Sequence, residues 1–158
     1  MSGNPARISK KGRYKQGYYK PLNPSKYMGD ANKILYRSSW ELKVCQKLDR
    51  ADYVIGWGCE IIQINYISPK DGLPHRYFPD FVVVTLDRIN NEKIVTVIEV
   101  KPHAEQFPPK PNGKKKARYI TECITYEVNQ AKWHTARAYC KQKGWKFLVL
   151  TEKEILSK

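Results

Sequence analysis

The sequence predicts an α/β fold with the element order αβββαβ, a mixed central sheet flanked by helices. Residues 77–86 (YFPDFVVVTL) and 95–101 (VTVIEVK) carry Val and Ile on both faces, as strands covered on two sides do. Upstream of them Trp40, Val44 and Leu48 recur at i, i+4 and i+8, the spacing of a helix. Downstream, a long helical stretch at 117–143 precedes KFLVLT at 146–151, so that a helix crosses over the sheet to a last strand.

The elements follow in order. Before Pro21 the chain is basic, with Arg7, Lys10, Lys11, Arg13, Lys15 and Lys20 interleaved with Tyr14, Tyr18 and Tyr19 and no acidic residue. Residues 1–21 are expected to be a flexible arm, and 22–158 the folded domain. Pro24, Gly29 and Asp30 punctuate a loop, and YRSSWELKVCQKLDR opens the first helix. EIIQINYI at 60–67 is read as the first strand, SPKDGLPHR at 68–76 as a turn-rich loop, and DFVVVTL at 80–86 as the second strand. DRINNE is a tight connection to KIVTVIEVK at 93–101. After the loop QFPPKPNGKKK, the second helix is read with a break near Asn129 and a stop at Gly144, where a left-handed C-cap fits. EKEILSK adds a short terminal helix.

At 158 residues and 41% hydrophobic residues, the chain suits one domain with a real core. It has no run of about eighteen apolar residues, and no apolar segment follows the basic N-terminus, so neither a membrane span nor a secretory signal is expected. Cys45, Cys59, Cys123 and Cys140 lack C-x-x-C spacing and read as reduced, buried thiols. His75, His103 and His134 match no zinc pattern. The formal net charge of +14 points instead to a polyanion as partner, with nucleic acid first. In the arm, lysines and arginines would neutralise phosphates while tyrosines stack on bases; a solubilising tail is the competing reading.

Three charges do not belong in buried strands: Asp80, Glu99 and Lys101. Alternate strand residues share a face, which places Glu99 and Lys101 together with Val97, and Ile98 with Val100 on the other side. If the second and third strands form a hairpin around Asn90 and Asn91, Asp80 lies beside Glu99. Two neighbouring carboxylates repel unless a cation sits between them. Hard oxygen ligands suit Mg²⁺, which keeps waters and binds substrate phosphate, with Mn²⁺ able to substitute.

Pro79-Asp80, an apolar hairpin and Glu99-Val100-Lys101 together resemble the PD-(D/E)XK nuclease superfamily, and YRSSWE is similar to a segment of TnsA-type transposase endonucleases. From about Asn23 to Ile155, through NPSKYMGD, KILYRSSWE, RYFPDF, IEVKP, TYEVNQAKW and KFLVLTE, the chain resembles the head completion nucleases of T-even-like tailed bacteriophages. The resemblance implies a restriction-endonuclease-like core and a metal-dependent DNA endonuclease. Such a protein acts in the cytoplasm of the infected host after DNA packaging and before tail attachment, with capsid or portal-vertex proteins as further partners and retention in the virion as an option.

It further implies a catalytic set of Glu41, Asp80, Glu99 and Lys101. Asp80, Glu99, the Val100 carbonyl and Glu41 would hold Mg²⁺, and Lys101 would stand at the water nucleophile. Glu41 has a competing role, because Ser38 and Glu41 have the spacing of a helix capping box. Arg37, Lys114, Lys115, Lys116, Gln130 and Lys132 join the arm residues as expected DNA contacts, while Trp133 reads as core. Two alternatives compete: a mainly structural head component with a vestigial nuclease site, and a TnsA-like transposon or junction-resolving endonuclease.

Overall fold

The computed structural model describes residues 16–157. Arg7, Lys10, Lys11, Arg13 and Lys15 of the expected arm lie outside these described residues. A four-stranded mixed sheet forms the centre. Strand β3 (Val54–Cys59) pairs antiparallel with β6 (Phe81–Asp87), β6 antiparallel with β7 (Glu92–Val100), and β7 parallel with β8 (Lys146–Leu150). Helix α1 (Ser39–Arg50) precedes this sheet in the chain, and α2 (Lys116–Lys143) crosses over between β7 and β8. The core order is therefore αβββαβ, closed by the short α3 (Glu152–Ile155).

Alternation along the strands gives the sheet two apolar faces. On one, Phe81, Val83, Ile98 and Val100 pack with Val44 and Cys45 of α1 and Ile155 of α3; on the other, Val82 and Val97 meet Cys140 of α2. The β6–β7 hairpin pairs Phe81 with Ile98 and Asp87 with Glu92, and turns through Asn91 at φ 53°, a left-handed position that Asn tolerates. Helix α2 stops at Gly144, φ 71°, whose backbone amide bonds back to Cys140 and Lys141 as the sequence led one to expect.

Four local expectations change. The first strand of the sheet is β3, not 60–67. Gly56 and Gly58 dilute its strand signature, and a Cβ on Gly58 would come within 2.7 Å of the Ile61 side chain, which would have to shift to admit it. Of the 60–67 segment, β4 (Ile64–Ile67) forms a separate ribbon with β5 (Pro74–Tyr77), the end of the expected 68–76 loop. This ribbon packs on α2 through Ile64, Tyr66, Tyr77, Trp133 and Ala136. Helix α2 runs unbroken through Asn129. Finally, Gly17–Tyr19 is strand β1, paired with β2 (Ile34–Tyr36), so this end of the expected arm belongs to the folded body.

Asp49 fastens that N-terminal segment. Buried at the end of α1, it accepts hydrogen bonds from Tyr19 Oη (2.6 Å) and from the amides of Leu22 (2.7 Å) and Asn23 (3.0 Å). Lys26 Nζ meanwhile caps the helix by donating to the Asp49 and Ala51 carbonyls. Burial alone would raise the Asp49 pKa; the donors outweigh it and lower the value. Cys45 and Cys140 are buried free thiols, Cys59 and Cys123 half-buried ones. Among the described residues, no helix is long and apolar enough to cross a membrane. The indole N–H groups of Trp57 and Trp133 are buried without partners among the described residues, which nothing in the packing explains.

Asp49→Asn is expected to destabilise the protein by about 2 kcal/mol at neutral pH, since an amide cannot accept from all three donors. Because the folded pKa is lowered, the gap is complete above the ordinary carboxylate range and closes as the pH falls through the Asp49 value. Urea denaturation of both proteins against pH checks this; a gap that stays constant into acid would show that Asp49 acts by shape alone.

Candidate active site

One step beyond the Phe81–Ile98 pair, the antiparallel register of β6 and β7 sets Asp80 beside Glu99. Pro79 ends the incoming chain just before β6, and Asp80 Oδ2 accepts a 2.7 Å hydrogen bond from the Val100 amide. This bond ties the Asp80 carboxylate to the strand carrying Glu99. Glu99 is only 6% exposed. Its Oε2 accepts a 2.7 Å bond from Tyr77 Oη, while Lys101 Nζ stands 3.7 Å from Oε1. The alternation expected along this strand holds, with Val97 and Glu99 facing α2 and Ile98 and Val100 facing α1.

The first helix brings a third carboxylate. Ser38 caps α1 by accepting from the Glu41 amide at 3.1 Å, and the Glu41 side chain returns to accept from the Arg37 amide at 2.8 Å. The reciprocal half of the box thus falls one residue before the cap. Burial raises the pKa of Glu41, helped by the charges of Glu60 and Glu99. Asp80 is pushed well above the usual carboxylate range by burial, then by Glu99 and Glu41. Glu99 is raised by burial, against the Tyr77 hydrogen bond and the charges of Lys101 and Lys132.

These are desolvated hard oxygen donors, with burial the first cause of each raised pKa and carboxylate repulsion adding to it at Asp80 and Glu41, and the set fits a divalent hard cation. Among the described residues, no three Asp, Glu, His or Cys side chains already stand as a metal cluster. Glu41 is engaged by the Arg37 amide and Glu99 by Tyr77 and Lys101, so a metal would draw them from present partners.

Lys132 reaches the same place from α2. Its ammonium lies 5.6 Å from the Tyr77 ring centre and 5.8 Å from that of Tyr66, and burial lowers its pKa against the pull of Glu99. Trp133 faces the core, as expected. Gln130 is half-buried on the same helix, with no hydrogen bond to the carboxylates. Arg37 sits near the site but spends its guanidinium on Glu60, at 3.1 Å. Lys114 is bound to Glu122, whereas Lys115, Lys116 and Lys20 are exposed. None of these last four is gathered with the catalytic groups. His103 is diverted to α3, where its amide donates to Glu152 at 2.8 Å.

Two participants escape a reading of the sequence. Tyr77 precedes Pro79-Asp80 by two residues, but its role needs the β4–β5 ribbon, which turns its hydroxyl onto Glu99. Glu60 has φ 51° at the end of β3, and its amide donates to the Asp80 carbonyl at 3.1 Å. No sequence pattern marks it.

A mixed sheet with αβββαβ connectivity and two carboxylates beside a lysine at one hairpin end defines a nuclease fold, and residues 51–152 match the family described as TnsA-like endonuclease N terminal. The head completion nuclease of Enterobacteria phage T4 is 39% identical over 140 residues, covering 86% of this chain and 90% of that protein. The chain belongs to the TnsA-like endonuclease family and, within it, to the phage head completion nucleases. No solved structure matches it.

Because the raised pKa of Asp80 means that folding strands a charge above the ordinary carboxylate range, Asp80→Asn should raise the melting temperature in chelator at neutral pH. The gain should vanish as the pH falls below that range, where the unfolded carboxyl is protonated too. Added Mg²⁺ or Mn²⁺ should stabilise the parent protein and not the variant. Thermal denaturation reads both, and a lowered melting temperature in chelator would show that the charge stabilises the fold.

Proposed function

We propose that the protein is a divalent-metal-dependent DNA endonuclease that completes the phage head, cutting DNA after packaging and before tail attachment, in the cytoplasm of the infected host. The observation that carries this reading is the convergence of Asp80, Glu99 and Lys101 at the end of one hairpin, with Lys132 opposite. The kinship with a head completion nuclease supplies the setting, in which capsid or portal-vertex proteins are the further partners.

Asp80, Glu99, the Val100 carbonyl and Glu41 are the residues to hold Mg²⁺, with Mn²⁺ as substitute. When bound, such an ion stabilises charge on the phosphorane-like transition state and on the leaving 3′ oxygen. Lys101, half-buried beside Glu99, orients the attacking water and stabilises the negative charge that develops on it as it adds to phosphorus. Tyr77 fixes the Glu99 carboxylate, which leaves Oε1 toward Lys101. Lys132, held against two tyrosine rings, offers a second positive charge to the scissile phosphate. Arg37, Gln130 and the Lys114–Lys116 run serve the flanking backbone, together with Lys20 and the basic residues before it. For Arg37 and Lys114 this means exchanging Glu60 and Glu122 for phosphate.

Glu99→Ala should abolish divalent-dependent cleavage in a folded protein. Lys101→Ala should keep metal binding yet lower turnover by about 10²–10⁴-fold, as expected for a lost acid/base or positioning group. Cleavage assays with calorimetric metal titration check both. Undiminished cutting by folded Glu99→Ala protein would refute the assignment and favour a structural head component.

Removing residues 1–15 takes away Arg7, Lys10, Lys11, Arg13 and Lys15 and spares strand β1. Each lost phosphate contact should make the log–log salt dependence of duplex binding shallower by about 0.9. Affinity against salt, in a Glu99→Ala background that spares the DNA, measures the change. Coincident slopes would assign those residues to a protein partner instead.

A further inference from the structure

A cavity of about 620 Å³ lies between the segment after Lys101 and the N-terminal half of α2. Its size falls in the range of small-molecule sites. One wall begins at Ala104, three residues beyond Lys101; the floor ends at Asn129, one helical turn before Lys132. The cavity therefore adjoins the catalytic end of the sheet, yet none of the groups assigned to hydrolysis lines it.

Its chemistry is that of a site for a flat, neutral, hydrogen-bonding ring. Asn129 is 93% buried by its 7% exposure, lines the cavity, and has no side-chain hydrogen bond among the described residues. Its amide atoms are not among the buried unpaired polar atoms, so they reach solvent and offer a donor and an acceptor edge to a ligand. Phe107 is 55% exposed at the same cavity, steadied by the His103 ring at 5.1 Å, and Tyr126 also lines it. The lining charges cancel, with Lys110 and Lys114 set against Glu105 and Glu122, and Lys114 is already bound to Glu122. A phosphate gains little there. A base gains a stacking surface, an amide edge and carboxylates that can accept from an exocyclic amino group. The exposed Lys115 and Lys116 at the start of α2 remain for the connecting phosphates.

We propose that this cavity receives one unpaired nucleotide of the DNA beside the scissile bond. The substrate class is then DNA with a single-stranded segment at the cutting point, such as an extended end, in place of uninterrupted duplex. This rests on the nuclease reading above and specifies its substrate.

The test uses the full chain carrying Glu99→Ala, so that DNA survives, and compares a blunt duplex with the same duplex bearing a 5′ or a 3′ single-stranded extension. Fluorescence anisotropy should show one extended form bound at least about five-fold more tightly, the gain of one stacked base. A 2-aminopurine placed first in that extension should be quenched on binding. Phe107→Ala and Asn129→Leu should each erase the preference and the quenching while leaving blunt-duplex affinity unchanged. Phe107 is exposed, so its variant tests the site without a threat to folding. Equal affinity for blunt and extended DNA, or a preference that survives Phe107→Ala, overturns the proposal while the nuclease reading stands; the cavity would then suit a protein segment. Failure to bind any of the DNAs, with no cleavage by the parent protein, sinks both.

Discussion

The burial of two neighbouring carboxylates, Asp80 and Glu99, is the constraint around which the candidate site is arranged. Antiparallel pairing of β6 and β7 is driven by apolar residues on both faces, and once Phe81 faces Ile98 the two carboxylates have nowhere else to go. The packing that makes the hairpin stable is thus the cause of the electrostatic conflict at its end. The surrounding elements reduce that conflict without removing it. The Val100 amide serves Asp80, Tyr77 and Lys101 serve Glu99, and burial still raises both carboxyl groups. A site held in this state gains free energy when a cation arrives, which is how a fold can hold binding energy for a metal in reserve.

Legibility in the sequence follows from this arrangement. Asp80, Glu99 and Lys101 stood out because charge in an apolar strand is anomalous, and period-two alternation alone put Glu99 and Lys101 on one face. Helices α1 and α2, the β6–β7 hairpin and the Gly144 cap were readable for similar local reasons. Strand β3 was not, since Gly56 and Gly58 interrupt its apolar pattern, and the crowding of Gly56 by Met28 comes from a distant part of the chain. The β4–β5 ribbon was obscured by Pro74 and His75, residues that an edge strand accepts and a central one does not. Strand β1 was hidden by the basic, tyrosine-rich composition shared with the residues before it. What anchors it is Asp49, 30 residues away from Tyr19.

The ribbon also explains why the candidate site has a second layer. Tyr66 and Tyr77 pack their rings on α2 beneath Lys132, and the Tyr77 hydroxyl continues to Glu99. A single aromatic ring therefore touches the cation on one element and the anion on another. The buried Lys132 amine has its pKa lowered by desolvation, so the aromatic faces and Glu99 only partly compensate for lost water. Both charges at this edge are incompletely satisfied, one of each sign. On the proposed function, a phosphate bound to a divalent ion would supply the missing partner to each.

The overall charge of +14 then acquires a more specific meaning. A uniformly positive protein would bind DNA without needing a metal, but here Arg37, Lys101 and Lys132 adjoin a centre containing Glu41, Glu60, Asp80 and Glu99. Long-range attraction would draw the polyanion toward the protein, while the carboxylates of the centre would oppose the one phosphate that must approach most closely and Lys101 and Lys132 would favour it. Arg37, tied to Glu60, is part of both fields. On the proposed function, a divalent cation would reverse the sign of the carboxylate cluster, so that DNA engagement and metal occupancy would reinforce each other. Coupling of this kind would confine hydrolysis to the fully assembled complex, although most of the attraction for DNA would arise elsewhere on the surface.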